Sequence, residues 1–214
     1  MRGFLWKDYL TTRKKYGLPR LVLDLAIVAA LLVVLEGTGA LVLSLVLVPL
    51  EVTSMVISLT SFDETWKWEK YAVALPISKG EIVKSRYAFA LLMALAGFAV
   101  ALAANLIAWA VFGTGSVRNC LLLSAASFFL TLLVLAVLFP SNYRLGVNAG
   151  VAVMIFFLIA ALALWFLSWV TEFSWSAVAV THAARLPWVG FAAAAVLFAL
   201  SYFLSAALFR RKFR

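Results

Sequence analysis

The side chains that most often carry enzyme chemistry are scarce in this sequence. Its 214 residues include one cysteine, Cys120, and one histidine, His182. A single cysteine excludes an intramolecular disulfide and a cysteine-based metal cluster, and a single histidine excludes an HExxH zinc site. The absence of any Gly-Lys dipeptide excludes a phosphate-binding loop of the GxxxxGK[ST] form in this chain. The available chemistry is therefore recognition by charged and aromatic side chains, and if ATP is used, we expect another polypeptide to bind it.

Those side chains are concentrated in residues 61–87, with the sequence SFDETWKWEKYAVALPISKGEIVKSRY. The rest of the first half of the chain is apolar enough to lie in lipid, so this interval is where the protein can meet a partner in water. It holds nine charged residues: Asp63, Glu64, Lys67, Glu69, Lys70, Lys79, Glu81, Lys84 and Arg86.

The first part of this interval predicts a short amphipathic helix. Ser61 or Asp63 can cap it, because a short side-chain oxygen accepts hydrogen bonds from the free N–H groups of a first turn. A tryptophan on its charged face is either an anchor at the membrane surface or the centre of a protein contact. The spacing i, i+3, i+4, i+7 gives the helix an apolar face of Trp68, Tyr71, Ala72 and Leu75. The other face carries Trp66, Lys67, Glu69 and Lys70.

A proline separates this helix from the next one. Pro76 disfavours helical backbone at Leu75. Ser78 and Glu81 have the S-x-x-E spacing of a capping box, which predicts that a second helix begins near Lys79. The interval thus predicts a short surface helix, a break, and a long apolar helix.

Composition predicts an integral membrane protein of one domain. Hydrophobic residues make up 66 % of the chain and charged residues 13 %, with a mean hydropathy of +1.07; soluble proteins have about 25 % charged residues. We expect an all-α, polytopic fold with an interfacial helix at residues 1–17, a cytoplasmic segment at 61–78, an external interfacial segment at 171–185 and a basic tail at 210–214. The six predicted transmembrane spans are residues 18–35, 38–60, 79–112 with a cytoplasmic extension up to about Tyr87, 117–139, 145–170 and 186–209.

The positive residues predict the orientation. With six spans, all of the 18 Lys and Arg residues except Arg118 and Arg185 lie on the side of both termini. Cytoplasmic loops are enriched in Lys and Arg, so both termini and residues 61–87 are predicted to be cytoplasmic, in a plasma membrane. Because the basic residues border apolar runs, topology explains the net charge of +9 and we expect no nucleic-acid partner.

A few polar residues fall inside the predicted spans. Asp24 can pair with Arg20 at i−4. Glu51 is about 14 Å from the cytoplasmic end of its span, near the midplane of a ~30 Å core. It either lines the translocation path or a dimer seam, or it is a protonated or hydrogen-bonded packing residue. Pro49 predicts a kink beside it. Asn105 is a further candidate for the path or seam, with an interhelical hydrogen bond as the more ordinary role.

The residues of the 61–87 interval resemble the cytoplasmic coupling segment of ABC-2 type transporter permeases. The resemblance rests on Asp63-Glu64, Trp68-Glu69-Lys70-Tyr71, Leu75-Pro76-Ile77-Ser78-Lys79, Glu81-Ile82-Val83 and Ser85-Arg86-Tyr87. It is nearest to the small permeases of peptide, bacteriocin and phenol-soluble-modulin exporters, and outside this interval it extends only to length and topology.

The resemblance implies a six-helix permease that is not itself an enzyme. It would pair with an identical or paralogous second permease and with two copies of an ABC ATPase, which would bind the ATP and Mg²⁺, and it would export an amphipathic peptide. An outer gate between the last two spans would involve Trp169, Phe173 and Trp175. The residues that would couple the permease to the ATPase are Asp63, Glu64, Trp66, Lys67, Trp68, Glu69, Lys70, Tyr71, Leu75 and Pro76.

Three other functional classes remain at this point. A secondary transporter would need several ionisable groups in the membrane or an inverted repeat, whereas the spans hold only Asp24 and Glu51. A membrane enzyme would need a catalytic constellation, which one external histidine does not provide. A structural or immunity-type membrane protein would share the hydropathy but would have no use for a proline-broken amphipathic helix in the cytoplasm.

Overall fold

The computed structural model describes residues 2–34, 40, 42–113, 116–170 and 186–213. Every regular element in these residues is helical, as the sequence predicts. The element α3 combines a π-helical start, Leu43–Leu47, with an α-helix, Val48–Thr65. The helices are α1 (Arg2–Lys15), α2 (Leu18–Val34), α3 (Leu43–Thr65), α4 (Trp68–Ala74), α5 (Lys79–Phe112), α6 (Val117–Leu145), α7 (Val147–Val170) and α8 (Leu186–Lys212).

Four described helices are long and apolar enough to cross a membrane. They are α3, α5, α6 and the part of α8 from Val189 to Lys212. Two shorter apolar stretches, Val22–Val34 in α2 and Val147–Ala163 in α7, correspond to the predicted first and fifth spans. The described helices therefore make this a multi-pass membrane protein, and the count of six spans stays a prediction.

Helix α6 is the centre of the bundle, in contact with α3, α5, α7 and α8. Its Phe139 stacks on Tyr87 of α5, with the ring centroids 4.3 Å apart. The Tyr87 hydroxyl lies 2.7 Å from the Ser201 hydroxyl and 2.8 Å from that of Ser205, both on α8. Helices in lipid associate mainly through close packing and hydrogen bonds, so this tyrosine joins three helices by both means.

The start of α3 is adapted to a proline. The Val48 N–H bonds to the Leu43 carbonyl across a widened π turn, and Pro49, which follows, has no N–H to donate. π turns and similar local adjustments let membrane helices accommodate proline. The sequence predicts a kink at Pro49, and the structure has a π segment immediately before it.

Asn105 lies in the packed interior between α3, α5 and α6. It is buried, and its side-chain amide donates to the hydroxyls of Ser44 and Ser124, each at 2.9 Å. The Ser124 hydroxyl also donates to the Cys120 carbonyl at 2.8 Å. This position fits an interhelical hydrogen bond and not a residue exposed to a substrate or to a second copy of the chain.

Two predicted helix ends were wrong. Helix α3 continues to Thr65 and not to residue 60, so Ser61 and Asp63 lie inside it and do not cap the short helix. Helix α6 continues through Pro140 to Leu145 and not to residue 139. The Ser141 hydroxyl donates to the Val137 carbonyl at 2.8 Å, one of the adjustments by which a membrane helix continues past a proline.

Other predicted boundaries are confirmed or shift slightly. Helix α5 begins at Lys79, and its cap Ser78 accepts a hydrogen bond from the Glu81 N–H at 3.3 Å, as predicted. Helix α8 includes most of the predicted basic tail, because it runs to Lys212. The predicted turn at residues 36–39 and the external segment at 171–185 lie outside the described residues.

Candidate functional site

The segment between α3 and α5 folds as two sharp changes of direction around a two-turn helix. Trp66 and Lys67 link α3 to α4, and Lys67 has left-handed backbone angles, φ 51° and ψ 32°. Helix α4 ends at Ala74, and Leu75 is extended with ψ 153°, as expected before Pro76. A non-glycine residue in the left-handed region costs about 1–2 kcal/mol, so the turn at Lys67 is held by its surroundings.

One face of α4 packs against the body of the protein. Ala72 is fully buried, and Val73 packs against the main core cluster. The Trp68 ring meets Phe4 of α1 edge-on at 6.3 Å, and the Lys7 ammonium lies 4.6 Å from its centre. The contact face therefore follows the spacing i, i+4, i+5 from Trp68.

The opposite face, which we call the outward stripe, is exposed. It consists of Trp66, Lys67, Lys70, Tyr71, Ala74 and Leu75. Trp66 is 73 % exposed and Tyr71 is 66 % exposed. Of the predicted apolar face, only Trp68 and Ala72 pack against the body of the protein, whereas Tyr71 and Leu75 are exposed. In a helix of two turns a spacing pattern does not determine which flank of an apolar face makes the contact.

Asp63 lies in a buried cluster of four charges. One of its carboxylate oxygens accepts from the Lys7 ammonium at 2.7 Å, and the other pairs with the Arg86 guanidinium. Arg86 also pairs with Asp8 of α1 at 3.0 Å. Burial lowers the pKa of Lys7 to about 8, and repulsion from Arg86 adds to this effect. The attraction of Asp8 opposes it in part. Asp63 thus fixes the end of α3 to α1 and α5 and is not a surface residue.

Glu64 caps the next helix in space. Its side-chain oxygen accepts a hydrogen bond from the Val147 N–H, the first of α7, at 3.0 Å. A carboxylate is favoured at a helix N-terminus because the free N–H groups and the helix dipole both attract it. Gly146 allows this approach: its φ is 86°, and a Cβ there would lie 3.2 Å from the Glu64 oxygen. The end of α3 is therefore also joined to α7.

Glu69 joins α4 to the end of α8. Its carboxylate lies 2.6 Å from the Lys212 ammonium. In the same region the Lys79 ammonium donates to the Phe213 carbonyl at 2.9 Å. The sequence gave the basic tail only a topological role, so this contact was missed.

The three carboxylates of the segment, Asp63, Glu64 and Glu69, thus all bind to other parts of the protein. What remains on the outward stripe is aromatic and basic. The sequence predicted that these acids belong to the partner-binding set. Spacing alone could not show that Asp63 pairs with Arg86, Glu64 with the Val147 N–H, and Glu69 with Lys212. The one available signal was Asp8, an acid within an otherwise basic first helix.

The predicted pathway residue Glu51 belongs to an ion-pair group on the surface of the bundle. Its carboxylate lies 2.5 Å from the Arg20 guanidinium, which also pairs with Asp24 at 3.0 Å, as the spacing predicts. The side chains of Glu51 and Arg20 are 36 % and 41 % exposed. Farther along α3, the Ser58 hydroxyl accepts a hydrogen bond from the Lys15 ammonium of α1 at 2.7 Å. Glu51 lies about 10 Å from Ser58 along the axis of α3. Glu51 is thus about two helical turns from the contact between Lys15 and Ser58, and its depth in the membrane stays a prediction.

This arrangement predicts unequal effects for the two partners. Replacing Glu51 with glutamine leaves Arg20 paired with Asp24, so the loss of stability should stay at or below about 1 kcal/mol. Replacing Arg20 with methionine leaves two carboxylates in apolar surroundings, and each costs about 2.5–3.5 kcal/mol on insertion scales. Thermal unfolding of both variants in detergent measures the difference. Equal shifts in the melting temperature would contradict the assignment of Arg20 as the shared partner.

The remaining candidate residues are only partly described. Pro49 is buried and lines a cavity of about 60 Å³ between α3, α6 and α7. Trp169 belongs to the last turn of α7, and its side chain lies outside the described part of the chain, as do the gate candidates Phe173 and Trp175 and also His182. Among the described residues, no three His, Cys, Asp or Glu side chains converge as in a metal site.

Comparison with protein families decides the class of this membrane protein. The model of one family, described as ABC-2 family transporter protein, matches residues 3–210. The chain belongs to this family. The comparisons with curated proteins and with solved structures gave no match.

Membership gives the site a context. ABC-2 permeases generally work with an ABC ATPase partner. The family match and the apolar helices together make this ABC-2 transporter a multi-pass membrane protein of a transport system. The narrower resemblance to exporters of peptides, bacteriocins and phenol-soluble modulins stays a prediction.

Proposed function

We propose that this ABC-2 transporter is the membrane subunit of an ABC exporter that moves an amphipathic peptide or another amphiphile out of the cell. Six spans cross the plasma membrane, with both termini in the cytoplasm. Two permease copies, identical or paralogous, assemble with two ATPase copies. The chain itself is not an enzyme in this proposal: ATP and Mg²⁺ bind to the partner, and hydrolysis occurs there.

The observation that supports this most strongly is the outward stripe. Two large aromatic side chains, Trp66 and Tyr71, are exposed on a segment whose three carboxylates are all bound to the body of the protein. Tryptophan and tyrosine dominate the energetics of protein interfaces, because they bury a large area at a low cost in side-chain entropy. An exposed aromatic pair on a rigid base is what a docking site for a second protein requires.

The contacts also suggest how force passes from the ATPase to the spans. In this mechanism, closure of the ATPase dimer on ATP displaces α4. The displacement reaches α1 and α5 through Asp63, α7 through Glu64, and α8 through Glu69. In this proposal, these contacts act in addition to the chain connection from α4 through Pro76 into α5.

An amphiphile is the substrate class that fits the spans best. The described membrane helices carry few charged side chains, and Arg20, Asp24 and Glu51 are three of these. A small hydrophilic ion would need more polar groups along its path. Exposed apolar side chains on α2 and α7, such as Val33, Phe156 and Ile159, leave surfaces that lipid or a second permease could cover.

Co-purification with an ABC ATPase encoded beside this chain tests the docking site. We expect Trp66→Ala and Tyr71→Ala each to weaken the complex by roughly tenfold or more, as central aromatic residues do at interfaces. Trp6→Ala is a matched control, because Trp6 on α1 is 62 % exposed and lies outside the outward stripe. Unchanged association of both variants would show that the ATPase docks elsewhere.

The export reaction is tested with the same complex. Reconstituted in liposomes, the wild-type complex should hydrolyse ATP faster when a cationic or neutral amphipathic helix peptide is added, and the Trp66→Ala complex should lose this stimulation. A wild-type complex that no amphiphile stimulates would count against an exporter of amphiphiles.

A further inference from the structure

The fold reverses the sign of the charge that the α3–α4 segment presents. Residues 61–71 carry three carboxylates and two lysines, a formal charge of −1. Asp63 and Glu69 are largely buried in ion pairs, so Glu64 is the one carboxylate of the three that stays exposed, with one oxygen bound to the Val147 N–H. Lys67 and Lys70 are both exposed on the outward stripe. The segment therefore presents a positive surface although its sequence is acidic.

The surroundings of the segment reinforce this sign. The described residues near the α3–α4 segment include one further exposed carboxylate, that of Glu81, which makes no contact with another helix. The exposed cations nearby are more numerous, and they comprise Lys84, Arg144, Arg210 and Arg211.

The backbone at Lys67 points the same way. Its φ of 51° is a conformation that glycine adopts without steric cost and that lysine adopts with strain. Strained residues persist where the surrounding structure holds them, and they are concentrated at functional sites. A lysine at this position is therefore explained better by a use for its charge than by the needs of the turn.

We propose that the surface that receives this segment is an acidic groove on the partner protein. Carboxylates on the rim of the groove face Lys67 and Lys70, and an apolar pocket between them takes Trp66 and Tyr71. The inference rests on the proposed function, because it describes the ATPase surface that the outward stripe would contact.

A protein surface fits these lysines better than lipid headgroups do. Lys67 and Lys70 share the outward stripe with the exposed aromatic residues Trp66 and Tyr71. Large aromatic side chains with charged neighbours are typical of the centres of protein interfaces. An anionic membrane is the other source of negative charge, and the comparison of lipids in nanodiscs tests it.

The test measures binding of the purified ATPase to the full-length chain in detergent at two salt concentrations. We expect Lys67→Glu and Lys70→Glu each to weaken binding by about fivefold to tenfold, and raising the salt from 50 to 300 mM to weaken wild-type binding by a similar factor. Lys14→Glu is the matched control, because Lys14 is exposed on α1 and is not among the cations around the stripe. Wild-type binding that does not depend on salt would overturn the proposal.

Lys67→Gly separates docking from folding. Glycine relieves the strained φ, so the melting temperature should stay the same or rise while the affinity falls by about threefold or more. Unchanged affinity of this variant and of both glutamate variants would overturn the acidic groove. If Trp66→Ala still weakens binding in that case, the docking site stands and only its charge complement is wrong; if it does not, the proposed function itself fails.

Nanodiscs distinguish the membrane as the source of negative charge. The wild-type chain and the Lys67→Glu/Lys70→Glu double variant are compared in phosphatidylglycerol and in phosphatidylcholine. We expect the same change in melting temperature between the two lipids for both proteins. A loss of stabilisation by phosphatidylglycerol in the double variant, together with unchanged ATPase binding, would assign the lysines to the membrane surface and overturn the proposal.

Discussion

Replacing Arg86 with leucine should lower the free energy of unfolding by about 3–5 kcal/mol, the range found when one partner of a buried ion pair is removed. The Arg86 side chain is 14 % exposed, and its partners Asp63 and Asp8 are 11 % and 2 % exposed. Without the guanidinium, Asp8 keeps only the more distant Lys7 ammonium at 3.3 Å. Denaturant unfolding in detergent micelles measures the change.

Lys7→Leu is the matched control for this prediction. Burial and the charge of Arg86 lower the pKa of Lys7 to about 8, so the charged form of Lys7 is only weakly stabilised. Removing the Lys7 ammonium leaves Arg86 paired with both carboxylates. We expect a loss of about 1 kcal/mol. Adding Asp8→Asn and Asp63→Asn to Arg86→Leu should restore part of the stability, because the unpaired buried charges are then gone. A cost for Lys7→Leu equal to that for Arg86→Leu would contradict the central role of Arg86.

Replacing Gly150 with alanine should lower the free energy of unfolding by about 1–3 kcal/mol, as overpacking of a core does. A Cβ at Gly150 would lie 2.1 Å from the Asn142 side-chain oxygen, a distance that requires α6 and α7 to separate or Asn142 to move. Asn142 is itself buried. The loss should occur even though alanine favours a helix by about 1 kcal/mol over glycine.

A matched glycine gives the comparison. Among the described residues, no atom lies within 4 Å of a Cβ built at Gly190 on α8, so Gly190→Ala should leave the melting temperature unchanged or raise it. Combining Gly150→Ala with Asn142→Ala removes the clash and should recover most of the lost stability. A Gly150→Ala variant as stable as Gly190→Ala would mean that α6 and α7 are not packed as closely as described.

Local chemistry predicted the breaks in the chain better than the extents of its helices. Pro76 and Ser78 act on their immediate neighbours, and the end of α4 and the start of α5 follow from them. Pro140 also removes a backbone donor, yet α6 passes through it, because a packed membrane helix tolerates one missing hydrogen bond.

The candidate site could be located from the sequence but not oriented. Residues 61–87 were identified from charge density and spacing, and the outward stripe lies among them. Which side chains turn inward depends on partners far along the chain, such as Asp8, Val147 and Lys212. A carboxylate bound to a distant cation and one that awaits a partner have the same local sequence, so Asp63 and Glu69 could not be told from contact residues.

The attachment of one short segment to several helices has a mechanical consequence. A helix fastened at a single point can pivot about it, and much of an applied push is then lost as rotation. Helix α4 and the end of α3 are fastened separately to α1 and α5, to α7, and to α8. Pivoting about any one fastening strains the others, so the segment has to move together with the helices that hold it. In the proposed mechanism, a displacement applied at Trp66 would therefore reach all of these helices simultaneously.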